Sequence, residues 1–340
     1  MLEKFKFTDY KKITDKFAQK RIMVVGDLLL DQYIWGNVSR ISPEAPVPVV
    51  WVKKEGYVPG GSCNVANNLV SLGAKVLLAG VIGDDSLGDI LKGKLSEKNI
   101  DIKGILVDHN RPTSLKTRVI AHNQQVVRID RESVDVLDER IANGISDYVK
   151  ENIDGVDGVI IEDYGKGVIT PKVLRNIVPL IRRKKKIVSV DPKEDHFSYY
   201  RGVTVITPNH SEAEKAYGAK METDEKIRTA GVKLLKRLGT ESILLTLGEK
   251  GMMLFEKDKV PYAIPTVARE VYDVSGAGDT VIAVYTLSLA SGGAPRLSAH
   301  LANSAAGIVV GKIGTAAIQI EELLDMLSGR STDTQAQRNS

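Results

Sequence analysis

The chain has 340 residues, 43% hydrophobic and 26% charged, enough to bury one large α/β core or two small ones and ordinary for a soluble globular protein. Lys and Arg number 47 against 43 Asp and Glu; the signs are interspersed, so neither a nucleic-acid footprint nor a nucleic-acid partner is expected. One cysteine, Cys63, excludes an internal disulfide, the five histidines lack zinc-ligand spacing, and no signal-peptide core or membrane-length apolar run occurs, so the cytoplasm is the expected compartment and no membrane partner is expected.

Residues 1–20 read as an amphipathic helix with Phe5, Ile13 and Phe17 available for packing. The first strand, 22–25, leads to Asp27. Residues 33–52 carry three prolines and two tryptophans, which disfavours regular helix. Within them Val47, Val49 and Trp51 alternate as in a half-exposed strand. Gly60, Gly61 and Asn64 then open a helical pattern that runs through Leu72 to Gly73. Paired glycines let a ligand approach the backbone, and Asn64 can both donate and accept. That suits a hydroxyl-rich ligand such as a sugar, or else a tight loop with a capping Asn. A second alternating pair, near 116–120 and 126–129, flanks the polar turn 122–125. These pieces, about 31–57 and 112–130, read as a small β lid.

From Gly73 onward apolar strand runs (76–82, 158–161, 187–190, 203–206, 243–247) alternate with helical patterns near 86–98, 138–151, 171–183 and 223–238. This rhythm predicts a mostly parallel sheet covered on both faces. Such sheets bind ligands outside the carboxyl ends of their strands. Asp27, Glu162 with Asp163, Asp191 with Lys193, Thr207 with Asn209, and Thr246 with Gly248 all stand at those ends and predict a shared active-site rim. The basic run 182–186 reads as a solvated helix end. Residues 1–330 read as one domain, and the polar tail 331–340 as disordered.

Near the C-terminus, Asp273-Val-Ser-Gly-Ala-Gly-Asp279 joins a polar turn to an apolar run, 281–290, that reads as a buried helix. Gly276, Ala277 and Gly278 would present bare N–H groups at its start, a place suited to phosphate. A carboxylate beside phosphate is repulsive. Asp279 therefore reads either as a general base for an alcohol attacking a phosphoryl group or as an N-terminal cap. With the glycines at 60–61, this turn suggests one site with a sugar end and a phosphate end.

Gly60 and Gly61 to Asn64, then Ala66, Gly73 and Gly83, resemble the first signature of the ribokinase-like (PfkB) sugar kinases, and Asp273 to Asp279 resembles the second. Ser62 stands where Gly, Ala or Pro is usual, and Val284 where a small residue is usual. Further strings are similar to the D-glycero-β-D-manno-heptose 7-phosphate kinases of that family: Val25 to Gly36, Ser39 to Val49, Lys116 to Ile120, Gln124 to Asp130, Glu162 to Gly167, Asp191 to Lys193, Thr207 to Glu212 and Asn303 to Gly314. The likeness spans about 21–327.

The resemblance implies a ribokinase-like three-layer αβα sandwich with a β lid. It implies ATP-dependent phosphorylation of O1 of heptose 7-phosphate to the 1,7-bisphosphate, in the ADP-heptose route to lipopolysaccharide core. Asp279 would be the base, with the amides of Gly276, Ala277 and Gly278 stabilising the transferring phosphoryl group. Asn209 and Glu212 match an Asn-x-x-Glu motif that organises phosphate and Mg²⁺ through water, and Lys193 would add positive charge. Thr246, Gly248, Gly251 and Asn303 would border the nucleotide, and Asp273 and Ser275 match a K⁺ site of some relatives. Asp31, Gly60, Gly61, Asn64, Arg128 and Asp163 fall on the sugar side. Arg118, Arg128 and Lys166 are three open choices for the 7-phosphate. A homodimer through the lid is expected, as is a separate nucleotidylyltransferase downstream, since the chain ends soon after Gly314. Rival readings are another sugar kinase of the family, ribokinase- or fructokinase-like, which the Ser39 to Pro48 string disfavours, and a non-catalytic sugar or nucleotide sensor, which the intact Asp279 disfavours. A dinucleotide oxidoreductase is disfavoured because no Gly-x-Gly-x-x-Gly follows the first strand.

Overall fold

The computed structural model describes residues 5–329 apart from 123, 269–270, 313 and 315; the tail 331–340 lies outside the described residues. In chain order its strands are β1 (Arg21–Gly26), β2 (Leu28–Ile41), β3 (Pro48–Gly61), β4 (Lys75–Gly83), β5 (Asp101–Asp108), β6 (Ser114–Ala121) and β7 (Gln124–Arg131). They continue with β8 (Gly158–Glu162), β9 (Ile187–Asp191), β10 (Val205–Ile206), β11 (Ser242–Thr246), β12 (Met252–Glu256) and β13 (Tyr262–Ile264).

The main sheet has the order β13-β12-β11-β10-β9-β8-β1-β4-β5. It is parallel from β11 to β5 and antiparallel only at β12 and β13. Strand alternation divides the core in two. Ile22 and Val24 point into one apolar cluster, with helices Ser62–Ser71, Ala277–Ala290 and Pro295–Val309. Met23 and Val25 point into the other, with helices Glu139–Asn152, Pro171–Arg183 and Asp224–Leu238. The result is the expected three-layer αβα sandwich. Helix Ala277–Ala290 is buried on nearly every side, which explains why its sequence is apolar without a polar stripe.

Two elements differ from the sequence reading. Among the described residues the N-terminal helix covers Phe7–Thr14, followed by a 3-10 turn at Phe17–Gln19, and positions 1–4 of the expected helix lie outside them. It cannot reach residue 20, because Lys20 is already extended and its carbonyl accepts from the Lys75 amide at the sheet entrance. The proline-rich stretch is also more regular than its composition suggests. It forms most of β2 and β3, which pair antiparallel over their length with irregularities at Trp35/Gly36 and Val38/Arg40. The prolines fall at the turn and strand ends, where a missing N–H does least harm.

The lid is a second sheet in the order β3-β2-β6-β7. Asp27 alone separates β1 from β2, and β3 runs straight into helix Ser62–Ser71. The Ser62 amide donates to the Asp27 carbonyl at 3.1 Å, so the first two crossings between body and lid are tied together. The basic run 182–186 is a surface helix end, with Arg182 bonded to Thr204 and Glu241 and Lys184 paired with Asp154.

Candidate active site

Asp279 sits on the first turn of helix Ala277–Ala290, whose N-cap is Gly276 at φ 79°, a left-handed conformation that favours glycine. The aspartate is 4% exposed and does not cap the helix. Its Oδ2 accepts from Asn64 Nδ2 at 2.6 Å, and its Oδ1 accepts from the Tyr164 hydroxyl at 2.8 Å. The Ala277 amide is already used, donating to the Val274 carbonyl at 3.2 Å.

Two further carboxylates face Asp279. Glu162 and Asp191 end β8 and β9 and are register partners. One oxygen from each of Glu162, Asp191 and Asp279 lies within 4.8 Å of the others. Glu162 is fully buried, and neither of its oxygens has a hydrogen-bond partner. Burial, then the neighbouring acids, push Glu162 and Asp191 well above the ordinary carboxylate range. Burial lifts Asp279 to about 6, against the lowering influence of Asn64 and Tyr164. Three carboxylates this close in a dry pocket need a proton or a cation among them.

Two cavities meet at this point. One, of about 300 Å³, is lined by Asp163, Tyr164, Asp191, Lys193, Asn209, Glu212, Gly276, Gly278 and Asp279. The other, of about 440 Å³, is lined mainly by small and apolar residues, among them Ala277, Val281, Ala306 and Val310, together with Thr246, Gly248, Gly251, Asn303 and Gly278. Gly278 borders both. The seven residues expected on the nucleotide side thus line two cavities that share Gly278. Asn209 and Glu212 form a reciprocal capping box on helix His210–Tyr217, the Asn209 amide donating to Glu212 at 2.8 Å and the Glu212 amide to Asn209 at 3.0 Å. That box occupies one Glu212 oxygen, and burial lifts this carboxyl to about 7.

On the lid side, packing accounts for the paired glycines. A Cβ on Gly60 would lie 2.2 Å from Asp31 Oδ2, and Gly61 has φ +56° with Leu29 and the Asp27 carbonyl against it. Asp31 is 4% exposed and ion-paired to Arg118. Arg128 is exposed, pairs with Asp130 at 3.0 Å and stands opposite Arg118 in the β6/β7 register. Lys166 pairs with Glu132 at 2.6 Å. Each of the three candidate phosphate-binding cations therefore already holds a carboxylate. Asp163 is engaged as well, accepting from the Gly165 amide at 2.8 Å, from the Tyr200 hydroxyl at 2.6 Å and facing His196 Nδ1 at 2.8 Å. Asp273 accepts from the amides of Ser275 at 2.9 Å and Gly314 at 3.1 Å, and so ties the turn to the chain beyond helix Pro295–Val309.

Sequence reasoning missed the role of two residues. Tyr164 reaches Asp279 from 115 positions away, and no local pattern signals that. Asp27 accepts three backbone amides, from Tyr164 at 2.8 Å, Lys166 at 3.0 Å and Val168 at 3.2 Å, and so shapes the loop after β8. Burial and then Asp163 raise its carboxyl to about 6. Its place at the end of β1 marked it for the rim, not for this work.

Residues 19–322 match the model of the pfkB family of carbohydrate kinases. The chain is 47% identical over 320 residues to a "Bifunctional protein HldE" of Desulfatibacillum aliphaticivorans, an alignment covering 94% of this chain and 65% of that one. It is 44% identical over 309 residues to a protein of the same name from Helicobacter pylori strain J99, covering 91% of this chain and 66% of the relative. The chain thus spans about two thirds of the length of these curated relatives. Among solved structures it resembles an Arabidopsis thaliana ribokinase complexed with ribose and ATP (TM-score 0.72, 19% identity, 91% of this chain and 98% of that one). It also resembles Escherichia coli phosphofructokinase-2 in complex with potassium (TM-score 0.75, 16% identity, 92% of this chain and 99% of that one).

Proposed function

Because the chain belongs to the pfkB family of carbohydrate kinases, we propose that it transfers the γ-phosphoryl group of ATP to O1 of D-glycero-β-D-manno-heptose 7-phosphate, giving the 1,7-bisphosphate. The observation that carries this reading is the buried Asp279 carboxylate at a helix N-terminus, where two cavities meet. The strings shared with heptose 7-phosphate kinases, together with 43–47% identity to the HldE relatives, support the choice of sugar.

In this reading the sugar's O1 attacks the γ-phosphorus while Asp279 accepts its proton, and the bond to the ADP oxygen breaks. The amides of Gly276 and Gly278 would face the phosphoryl oxygens as their charge spreads, the Ala277 amide being held by the Val274 carbonyl. Lys193 stands at the same cavity and adds positive charge. The small residues of the larger cavity accept the base and ribose, with Thr246 and Asn303 at its polar edge. The acid cluster fits a divalent cation, since the two Glu162 oxygens are buried without partners. Glu162 and Asp191 would hold Mg²⁺, with Glu212 reaching it through water. Mg²⁺ neutralises phosphate charge when bound. Asp273 and Ser275 are the residues of this turn for K⁺.

A coupled ADP-release assay across free and phosphorylated sugars tests the proposal. Heptose 7-phosphate is expected to outpace the rest. Preference for an unphosphorylated sugar would return the chain to the generic sugar-kinase reading.

The 7-phosphate is a dianion and requires a cation near the lid. Among Arg118→Ala, Arg128→Ala and Lys166→Ala, at least one is expected to raise KM for the sugar phosphate roughly ten- to a hundredfold, the scale of a charged contact. KM for ATP should stay nearly constant. Normal KM in all three variants would place the anion pocket elsewhere.

The lid also supports a homodimer. Trp51 (68% exposed), Val52 (50%), Val127 (45%) and Ile129 (56%) leave apolar surface on a four-stranded sheet, more than an isolated lid gains from water contact. Sedimentation at micromolar concentration should give twice the chain mass, and a monomer there would contradict this. No helix among the described residues is long and apolar enough to cross a membrane. Action in the cytoplasm, ahead of a nucleotidylyl-transfer step, completes the reading.

A further inference from the structure

The phenol of Tyr164 occupies a place the reaction needs. It donates to Asp279 Oδ1 at 2.8 Å, while Asn64 donates to Oδ2 at 2.6 Å. One Asp279 oxygen also lies within 4.8 Å of an oxygen from each of Glu162 and Asp191. A base can take a proton only from a hydroxyl in hydrogen-bond contact with it, and the Tyr164 hydroxyl, beside the same cavity as Asp279, holds one of the places such a hydroxyl would take.

The two donors are held differently. Asn64 is 0% exposed on helix Ser62–Ser71, and its carbonyl takes the Asn68 side chain at 2.9 Å. Tyr164 is half-buried and borders the 300 Å³ cavity. Its backbone, however, is fixed. Asp27 accepts the amides of Tyr164, Lys166 and Val168, and Gly167 has φ +87° with the Asp135 carbonyl packed against it. The movement open to Tyr164 is therefore rotation of its side chain into the cavity, with the loop staying in place.

We propose that Tyr164 is a stand-in for the acceptor hydroxyl. In the sugar-free enzyme its O–H sits on Asp279 as the sugar's O1–H will, and the arriving sugar displaces it. The stand-in also keeps water off the base. Without it, a water oxygen would bond to the γ-phosphorus as the bond to ADP breaks, its proton passing to Asp279 and then to solvent; ATP and water become ADP, phosphate and a proton. This inference rests on Asp279 being the base.

The test compares wild type, Tyr164→Phe, Tyr164→Leu, Asp279→Asn and the Tyr164→Phe/Asp279→Asn double variant by ADP release with and without sugar phosphate. Tyr164→Phe is expected to raise sugar-independent hydrolysis roughly tenfold and to lower KM for the sugar by a similar factor, the scale of one hydrogen bond to a charged group. The double variant should lose that hydrolysis. If neither Tyr164 variant raises hydrolysis or lowers KM, the stand-in role is overturned. If Asp279→Asn itself keeps normal turnover, the reading of the base fails instead.

Discussion

Asp279→Asn is expected to lower kcat by roughly 10²–10⁴-fold while leaving nucleotide binding nearly intact. The substitution keeps size and one acceptor oxygen, so the Tyr164 hydroxyl retains its bond. On the other side Asn64 can turn its amide. Its Oδ1 is buried without a partner and is ready to accept from the new amide group. The fold has a way to absorb the change, and the loss falls on proton transfer. Steady-state kinetics for kcat, paired with calorimetry for a non-hydrolysable ATP analogue, separate the two. Near-normal turnover would exclude Asp279 as the base.

Activity should also depend on pH with a limb near 6. Burial lifts Asp279 to about 6, and the protonated acid cannot take a proton from the sugar. Going down in pH through 6, kcat/KM is therefore expected to fall about tenfold per unit; going up, it should level off. Glu212, lifted to about 7, titrates nearby. Glu212→Gln keeps an acceptor for the capping box and should leave the limb in place if Asp279 owns it. A limb near 4, the ordinary carboxylate position, would mean that water reaches Asp279 more freely than its burial implies.

The body of the fold was legible because parallel strands covered on both faces have no polar alternation to hide them. The runs ending at Val25, Ile161 and Val190 stand out for that reason. The short edge strands did not. Met252–Glu256 resembles any buried apolar run, and Tyr262–Ile264 has three residues, too few for a period. The turn at Gly276 to Asp279 was legible as well, since glycine at a helix start followed by an acid leaves few readings. Contacts between distant segments stayed hidden. Nothing near Asp31 announces that Arg118 will pair with it across 87 positions. Nothing near Asp163 announces that Tyr200 and His196 will meet it across 37 and 33 positions. Such pairings follow from strand register and loop closure, which local composition does not encode.

The lid draws only on residues 28–61 and 114–131, whereas the 440 Å³ cavity beyond Gly278 is built from Thr246 to Val310. On the proposed assignment, the lid's share of acceptor recognition and the larger cavity's share of donor recognition are written on separate lengths of the gene. Mutation can reshape the grip on one partner while the other is inherited unchanged. The lid's attachment at Asp27 and Gly61 makes that separation physical for β2 and β3, because exchanging those strands beyond the two residues would leave the main sheet and the Gly276 turn in place. If the lid grips the acceptor as proposed, the same scaffold can pass from one acceptor to another in small steps, each leaving the donor cavity behind it unchanged.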